Sequence, residues 1–250
     1  DRPSVAALQE WLRRLAAVPD LLLTPSAAAR ERFVAAGLPG ERIRVVENGI
    51  DPAPLEGIER EASERVRFGF VGSIIPSKGV HTLLEAFARL PAGSASLVVA
   101  GNTFPYYQYT GYEERIAALA REAAGENPVE LRGPYTQEEL PGLLAGIDVL
   151  VVPPLWHEVF GLTLREGMAA GCAVIASRTG GLTQAVEEGR NGFTFTPGSA
   201  AELAGVMMDF IQDRGLAARL GSGGSGVRTL AGMAGELLGI YGELGLDVPE

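Results

Sequence analysis

The sequence is poor in the residue types that most often form metal centres and disulfides. Its 250 residues include one cysteine and two histidines. The single cysteine, Cys172, excludes a disulfide within the chain and favours a reducing compartment, so we expect a cytoplasmic protein. Cys172 lies between a predicted helix and a predicted strand, where a small core residue is the expected role.

Long apolar runs and positive charge are also scarce. No run approaches the roughly 18–20 apolar residues that a membrane-spanning helix needs, so no transmembrane segment is expected. The amino-terminal stretch DRPSVAALQEWLRRL is charged and amphipathic, unlike a signal peptide. Lysine and arginine number 21 against 31 aspartates and glutamates, a net charge of −10. This balance disfavours nucleic acid as a partner, and an anionic ligand would have to be held by local features.

From Arg65 onward, short apolar strands alternate regularly with amphipathic helices. Each predicted strand is followed by a predicted helix, and the strands cover 66–71, 96–100, 129–132, 148–152, 173–177 and 193–195. Six β-α units in succession predict an α/β fold: a doubly wound, Rossmann-like parallel sheet with helices on both faces. The default spatial order for such a sheet is 3-2-1-4-5-6.

The chain also shows boundaries between parts. Residues 52–64 are polar, contain two prolines and are typical of a linker. We therefore predict that residues 1–50 form the end of one domain and the start of the linker, and that residues 51–220 form the large α/β domain. Residues 221–226 have the composition of a flexible Gly/Ser linker, and residues 227–250 are predicted to form a carboxyl-terminal helix.

The stretch PPLWHEVFGLTLREGMAAG, residues 153–171, predicts a corner between a strand and a helix. It carries two glutamates eight positions apart, Glu158 in the loop and Glu166 inside the helix. If the helix begins near Gly161, Glu166 lies roughly 7–8 Å along its axis. The backbone N–H groups at such a helix start suit phosphate, and a carboxylate on each side suits two diols. This layout matches a nucleoside diphosphate sugar, and the alternative is a solvated helix glutamate beside an unrelated loop glutamate.

The predicted strand order points to the same corner. Strands 66–71 and 148–152 are neighbours in that order, so the loops that follow them meet at the switch point, where open α/β sheets bind ligands. The first loop contributes Gly72, which allows close backbone approach, and Lys78, its one cation. The loop Arg132-Gly133-Pro134-Tyr135 follows the third strand and could flank a base.

Together these segments resemble the donor-binding half of retaining GT-B glycosyltransferases of family 4. The resemblance covers residues 48–210. The matching segments are NGID (48–51), Val71-Gly72, Ser77-Lys78-Gly79, Arg132-Gly133, IDVLVVPP (147–154), Glu158 with Phe160-Gly161 and Glu166, and AAGCAVIASRTGGLTQAVEEGRNGF (169–193). The resemblance implies transfer of a sugar from a UDP-, GDP- or ADP-linked donor with retention of anomeric configuration, without metal or cofactor. The lack of an Asp-x-Asp triplet is consistent with the absence of a metal.

The same resemblance implies roles for the residues of the corner. Glu158 would bind hydroxyl groups of the sugar, Glu166 would bind the ribose diol, and Lys78 would neutralise the diphosphate. Glu158 and Lys78 are the predicted catalytic residues. The other residues predicted to bind the sugar donor are Gly72, Ser73, Gly133, Phe160, Gly161 and Leu162.

Two departures from the family pattern bear on activity. Ser73 stands where the family usually places an arginine that binds the diphosphate. Arg178 could compensate, or it could be a solvated loop arginine. The acceptor-side domain is represented only by roughly residues 1–47. We therefore expect an isolated donor domain that lacks its amino-terminal domain, binds a nucleotide sugar and turns over poorly or not at all.

Two other functions are compatible with the sequence. One is a non-catalytic module that binds a nucleotide sugar. The other is a GT-B-like nucleotide-sugar epimerase, which would need an acid–base pair that the sequence does not reveal. A nicotinamide-binding domain is disfavoured because the first loop, GSIIPSKG, lacks the Gly-x-Gly-x-x-Gly fingerprint.

Overall fold

The computed structural model describes residues 4–104, 110–223 and 226–246. The strands are β1 (Leu22–Thr24), β2 (Ile43–Val45), β3 (Val66–Val71), β4 (Ala95–Ala100), β5 (Val129–Gly133), β6 (Val149–Val152), β7 (Ala173–Ser177) and β8 (Gly192–Phe195). The α-helices are α1 (Val5–Ala16), α2 (Ala27–Ala35), α3 (Val80–Phe87), α4 (Tyr112–Ala123), α5 (Leu140–Ala145), α6 (Leu162–Ala169), α7 (Leu182–Ala185), α8 (Ala200–Gln212), α9 (Leu216–Ser222) and α10 (Leu230–Glu243).

The chain forms two compact units. The smaller unit comprises Asp1–Gly49 and Arg228–Glu250, and the larger unit comprises Ile50–Val227. In the smaller unit, β1 and β2 pair in parallel. The same unit contains α1, α2 and α10. Among the described residues, none of the helices combines the length and apolar character needed to cross a bilayer.

The larger unit contains a six-stranded sheet in the order β5-β4-β3-β6-β7-β8, and all neighbouring strands are parallel. Counted along the chain this is 3-2-1-4-5-6, so the predicted doubly wound order is confirmed. Strand β3 pairs with β4 on one side and with β6 on the other, where Phe68 aligns with Val149. The switch point therefore lies between β3 and β6.

Apolar side chains cover both faces of this sheet. Along β6 they alternate, so that Val149 and Val151 belong to one buried cluster and Leu150 to the other. Helices α3, α4, α8 and α9 contribute to the first cluster, and α5, α6 and α7 contribute to the second. The predicted helices on both faces are confirmed.

Glycine allows α6 to lie close against β6. Gly167 is buried, and a Cβ atom at this position would overlap the side chain of Leu150. The helix begins after Gly161, whose φ of 81° is left-handed and therefore favours glycine. The predicted helix start near Gly161 is thus confirmed.

The Gly/Ser stretch predicted as a linker over 221–226 begins inside a helix. Gly221 and Ser222 belong to α9. Gly221 is buried, and a Cβ atom there would overlap the carbonyl oxygen of Gly171. The close approach of two backbones, rather than flexibility, thus explains this glycine. Residues 224 and 225 lie outside the described residues.

Candidate functional site

Three loops meet at the carboxyl edge of the six-stranded sheet. They follow the adjacent strands β3, β6 and β7 and comprise residues 72–79, 153–161 and 178–181. Backbone hydrogen bonds of 2.8 Å join the second loop to the other two, with Leu155 N donating to the first loop and Gly181 N donating back to the second. The loops after β3 and β6 therefore meet, as the strand order predicted.

Two glycines permit this contact. A Cβ atom on Gly79 would overlap the carbonyl oxygen of Pro153, and one on Gly180 would overlap the carbonyl oxygen of Glu158. Their φ angles of 70° and 54° also favour glycine. Neither glycine is among the predicted site residues, although the Gly-Gly pair at 180–181, shortly after a strand, is a usable signal.

The structure brings the two predicted catalytic residues into direct contact. Lys78 Nζ lies 2.5 Å from Glu158 Oε2, and the two side chains are 28% and 14% exposed. The ion pair is therefore largely shielded from water. Lys78 Nζ also lies 5.8 Å from the ring centroid of Trp156, within the range of a cation–π interaction. The sequence analysis placed these residues in one site but did not predict that they would pair with each other.

Glu166 lies half-buried on α6, beside the residues that follow β5. Burial raises the pKa of the Glu166 carboxyl, and a hydrogen bond with the Gln137 side chain partly opposes this shift. Burial also raises the pKa of the Tyr135 phenol, and the negative charge of Glu166 raises this pKa further. Tyr135 belongs to the loop that was expected to flank a base, whereas Gln137, two residues further on, is not among the predicted site residues.

A buried arginine fixes the corner between β6 and α6. Arg165 is 7% exposed, and its Nη1 donates to the carbonyl oxygen of Phe160 and, at 3.4 Å, to that of Gly161. Its guanidinium carbon lies 3.4 Å from the centroid of the Phe160 ring. Since a buried side chain holds both residues, the first N–H groups of α6 keep a defined direction. Arg165 is not among the predicted site residues, because an arginine beside Glu166 is typical of an exposed helix face.

The three predicted residues at the start of α6 differ in exposure. Phe160 is 3% exposed, so its side chain belongs to the core. Gly161 packs so closely on Leu182 that a Cβ atom would overlap that side chain. Leu162 is 46% exposed. Its N–H lies in the first turn of the helix, where backbone donors lack an intrahelical acceptor.

The remaining predicted residues lie at the ends of β3 and β5. Gly72 has φ 144° and donates its N–H to Ala100 O at 3.0 Å. Gly133 ends β5 with φ 78°, and its carbonyl oxygen accepts from Gly101 N at 2.7 Å. Ser73 follows Gly72 and is partly buried. All three residues lie at the same edge of the sheet as Lys78.

Arg178, the candidate for a second cation, is directed toward β8 and α8. Its Nε donates to Thr194 Oγ1 at 3.2 Å, and its Nη2 lies 3.4 Å from Glu202 Oε1. The side chain is 54% exposed. This geometry fits the alternative of a surface arginine and does not support compensation for Ser73.

Two buried hydroxyl groups have no hydrogen-bond partner within the described part of the chain. They belong to Ser77, in the loop that carries Lys78, and to Ser177, at the end of β7. Because an unpaired buried hydroxyl group costs free energy, both are candidates to contact a ligand. In the described ranges no three His, Cys, Asp or Glu side chains are grouped so that they could hold a metal ion.

Comparison with known proteins identifies the family. The profile of glycosyl transferases group 1 matches residues 55–226, which is more than half of the chain. The chain belongs to this family. The profile of glycosyltransferase family 4 matches residues 1–54. The recognised family is thereby confirmed, and the parallel six-stranded sheet is that of the GT-B fold.

Individual glycosyltransferases are similar over most of this chain. The D-inositol 3-phosphate glycosyltransferase of Streptomyces avermitilis is 33% identical over 193 residues, covering 72% of this chain and 41% of the relative. The glycogen synthase of Mycobacterium tuberculosis is 30% identical over 223 residues, covering 86% of this chain and 50% of the relative. The structure of Anabaena HepE, solved in complex with UDP and glucose, superimposes with a TM-score of 0.84 at 23% identity. The superposition covers 96% of this chain and 67% of HepE, and this likeness shows the fold. The chain thus spans about half the length of these two curated relatives.

Proposed function

We propose that this glycosyltransferase chain binds a nucleotide sugar at the carboxyl edge of its larger sheet, for retaining transfer that needs neither a metal nor a cofactor. The observation that carries the proposal is the shielded Lys78–Glu158 pair, which sits in the loops around the start of α6. Glu166, on the same helix, supplies a second carboxylate. HepE, the structural neighbour solved with UDP and glucose, favours a UDP-linked sugar over GDP- and ADP-linked ones.

The diphosphate is held by local positive features, because the chain as a whole carries a charge of −10. Lys78 contributes a full charge, and the N–H groups after Gly161 contribute the positive end of the α6 dipole. The buried Ser77 hydroxyl group, in the same loop as Lys78, is a further donor. Gly72, Ser73 and the backbone from Phe160 to Leu162 form the rest of this cradle.

The two carboxylates bind the two ends of the ligand. When Lys78 turns to the diphosphate, Glu158 accepts hydrogen bonds from hydroxyl groups of the sugar. Glu166 accepts from the ribose diol, and Gly133 and Tyr135 flank the base. Hydrogen bonds to a charged group are worth roughly 1.5–3 kcal/mol each, so each glutamate matters measurably for affinity.

Transfer leaves negative charge on the departing nucleotide diphosphate. Lys78 and the helix start stabilise this charge as it develops, which is the form of catalysis that preorganised donors provide. Glu158 holds the sugar while the bond to the diphosphate breaks. The proposed chemistry therefore assigns the stabilising charge to Lys78 and α6 rather than to a metal.

The acceptor-side part of the enzyme is also a proposal. Residues 1–54 match the family 4 profile, which supports residues 1–50 as the end of an amino-terminal domain whose remainder belongs to a longer cytoplasmic parent. We expect this chain alone to bind the sugar donor and to transfer sugar slowly or not at all. A non-catalytic nucleotide-sugar-binding module is the second candidate, and Ser73, in place of the expected arginine, favours it.

Calorimetric titration tests the proposal. UDP, GDP and ADP are each titrated beside their glucose and mannose conjugates, with and without EDTA. We expect saturable binding of one nucleotide that EDTA does not change. If none of these ligands binds, the proposed site is wrong. If binding occurs, NMR of the released or transferred sugar in the full-length parent tests retention, and an inverted anomer would contradict that part of the proposal.

A further inference from the structure

A second cleft lies at the opposite, amino-terminal edge of the six-stranded sheet. It encloses about 410 Å³, which is within the usual range for small-molecule sites. Val66 at the start of β3, Asp148 just before β6 and Gly171 shortly before β7 line it. It shares no residue with the candidate site at the carboxyl edge.

This cleft is positively charged although the chain is acidic. Its charged residues are Arg60, Arg65, Arg67, Arg214, Glu61 and Asp148. Four positive and two negative charges leave an excess of two positive charges, in a chain whose total is −10. An anion is therefore the class of ligand that this cleft favours.

Arg60 is held in place by backbone groups rather than by an acid. Its Nε donates to Ile147 O at 2.7 Å, and its Nη2 donates to Ala170 O at 2.7 Å, at the carboxyl end of α6. Its Nη2 also lies 3.0 Å from Cys172 Sγ. Within the described ranges no carboxylate pairs with Arg60, and its Nη1 has no acceptor. Nη1 lies beside Gly171, which lines the cleft.

The second fixed guanidinium belongs to Arg67. It binds Asp148 with two hydrogen bonds, Nη2 to Oδ1 at 2.6 Å and Nε to Oδ2 at 3.1 Å. This pairing neutralises Asp148, so the acid does not repel an anion in the cleft. The Nη1 group of Arg67, like that of Arg60, has no acceptor in the described part of the chain. Two guanidinium groups that hydrogen bonds hold in place thus keep free donors at one cleft.

The other two arginines are exposed and able to close over a ligand. Arg65 makes one bond, from Nε to Gly93 O at 3.3 Å, and Arg214 makes none among the described residues. Glu61 is also exposed, and its charge acts on Arg67, so it offsets part of the positive charge of the cleft.

We propose that this cleft binds a phosphate-type oxyanion, with the fixed arginines Arg60 and Arg67 at its base and Arg65 and Arg214 closing over it. Planar guanidinium groups match the geometry of phosphate oxygens and form charge-assisted hydrogen bonds with them. Inorganic phosphate and the phosphate group of a small monoester share this chemistry. The volume of the cleft exceeds what a single ion needs, which favours a monoester.

Phosphorus NMR titration of the whole chain tests this site. Inorganic phosphate and glucose 6-phosphate serve as probes, at an ionic strength held constant with potassium chloride. The test variant combines Arg65→Gln with Arg214→Gln, because neither side chain is buried. The matched control combines Arg89→Gln with Arg121→Gln, which removes the same charge from exposed arginines outside the cleft. Lys78→Gln reports any binding at the carboxyl edge.

We expect saturable binding that the test variant weakens at least about tenfold, the equivalent of about 1.4 kcal/mol, while the control and Lys78→Gln change it less than about twofold. Tighter binding of glucose 6-phosphate would identify a monoester as the ligand, and equal binding would identify the free ion. The proposal would be overturned if phosphate binding does not saturate, if the control variant weakens it as much as the test variant, or if Lys78→Gln abolishes it. The test does not depend on nucleotide binding.

Discussion

Lys78 and Glu158 are 80 positions apart in the sequence, and their side chains meet at 2.5 Å across the loops that end β3 and β6. Each residue is assigned to a different part of the nucleotide sugar in the proposed function. Binding must therefore exchange partners, with Lys78 turning to the diphosphate and Glu158 to the sugar. A free nucleoside diphosphate lacks the transferred sugar, so it offers Glu158 no hydroxyl group of that sugar. Its phosphates also bring negative charge close to Glu158.

Glu158→Gln should consequently strengthen the binding of UDP but not that of UDP-glucose. The variant releases Lys78 and removes a negative charge, so we expect UDP to bind about tenfold more tightly. UDP-glucose should bind no more tightly than to the native chain, because its hydroxyl groups lose a charged acceptor. Calorimetry on both ligands measures this, with Glu122→Gln on the exposed face of α4 as the control. Equal changes for the two ligands would show that Glu158 does not bind the hydroxyl groups of the glucose.

Glu166→Ala should weaken every nucleotide diphosphate, with or without a sugar. Losing a charge-assisted hydrogen bond of about 1.5–3 kcal/mol predicts a ten- to hundredfold weaker Kd. The comparison of UDP with UDP-glucose separates this effect from that of Glu158. Unchanged affinity for both ligands would place the ribose elsewhere.

The raised pKa of Glu166 predicts a pH dependence of binding. Because burial raises its pKa above the ordinary value, Glu166 becomes protonated at a higher pH than an exposed glutamate. A ribose diol favours the ionised carboxylate, so affinity for UDP should fall as the pH drops through this raised pKa, and binding there should release protons. Calorimetry in two buffers of different ionisation enthalpy measures the release. Glu166→Gln should abolish it, and persistence of the release in that variant would assign it to another group.

Gly79→Ala should separate the loops that carry Lys78 and Glu158. The new Cβ atom meets the carbonyl oxygen of Pro153, and the left-handed backbone adds strain, for a cost of roughly 1–3 kcal/mol in the free energy of unfolding. Nucleotide affinity should fall as well. Gly205→Ala is the matched control, since it lies in α8 with open space around it and should stabilise the chain by up to about 1 kcal/mol. Urea unfolding and calorimetry compare the two, and native affinity in Gly79→Ala would contradict the role of this contact.

The sequence predicted the sheet well because its signal is local and repeated. Six apolar strands, each followed by a helix, predict a doubly wound sheet. The default strand order of such a sheet, which the structure has, brings the loops of Lys78 and Glu158 together. The pairing of these two side chains was not predictable, since it depends on distances between loops. The burial of Arg165 was missed because its helix position is typical of an exposed residue. Gly221 was predicted to lie in a linker from its composition, whereas its packing against Gly171 places it in a helix.

The most direct test of the proposed site is a crystal structure of the chain with UDP bound. We expect the diphosphate within hydrogen-bonding distance of Lys78 Nζ and of the N–H groups that follow Gly161, with the ribose diol on Glu166. Lys78 should then no longer pair with Glu158. A nucleotide bound away from the carboxyl edge of the sheet, or a diphosphate bound while the Lys78–Glu158 pair stays closed, would contradict this account.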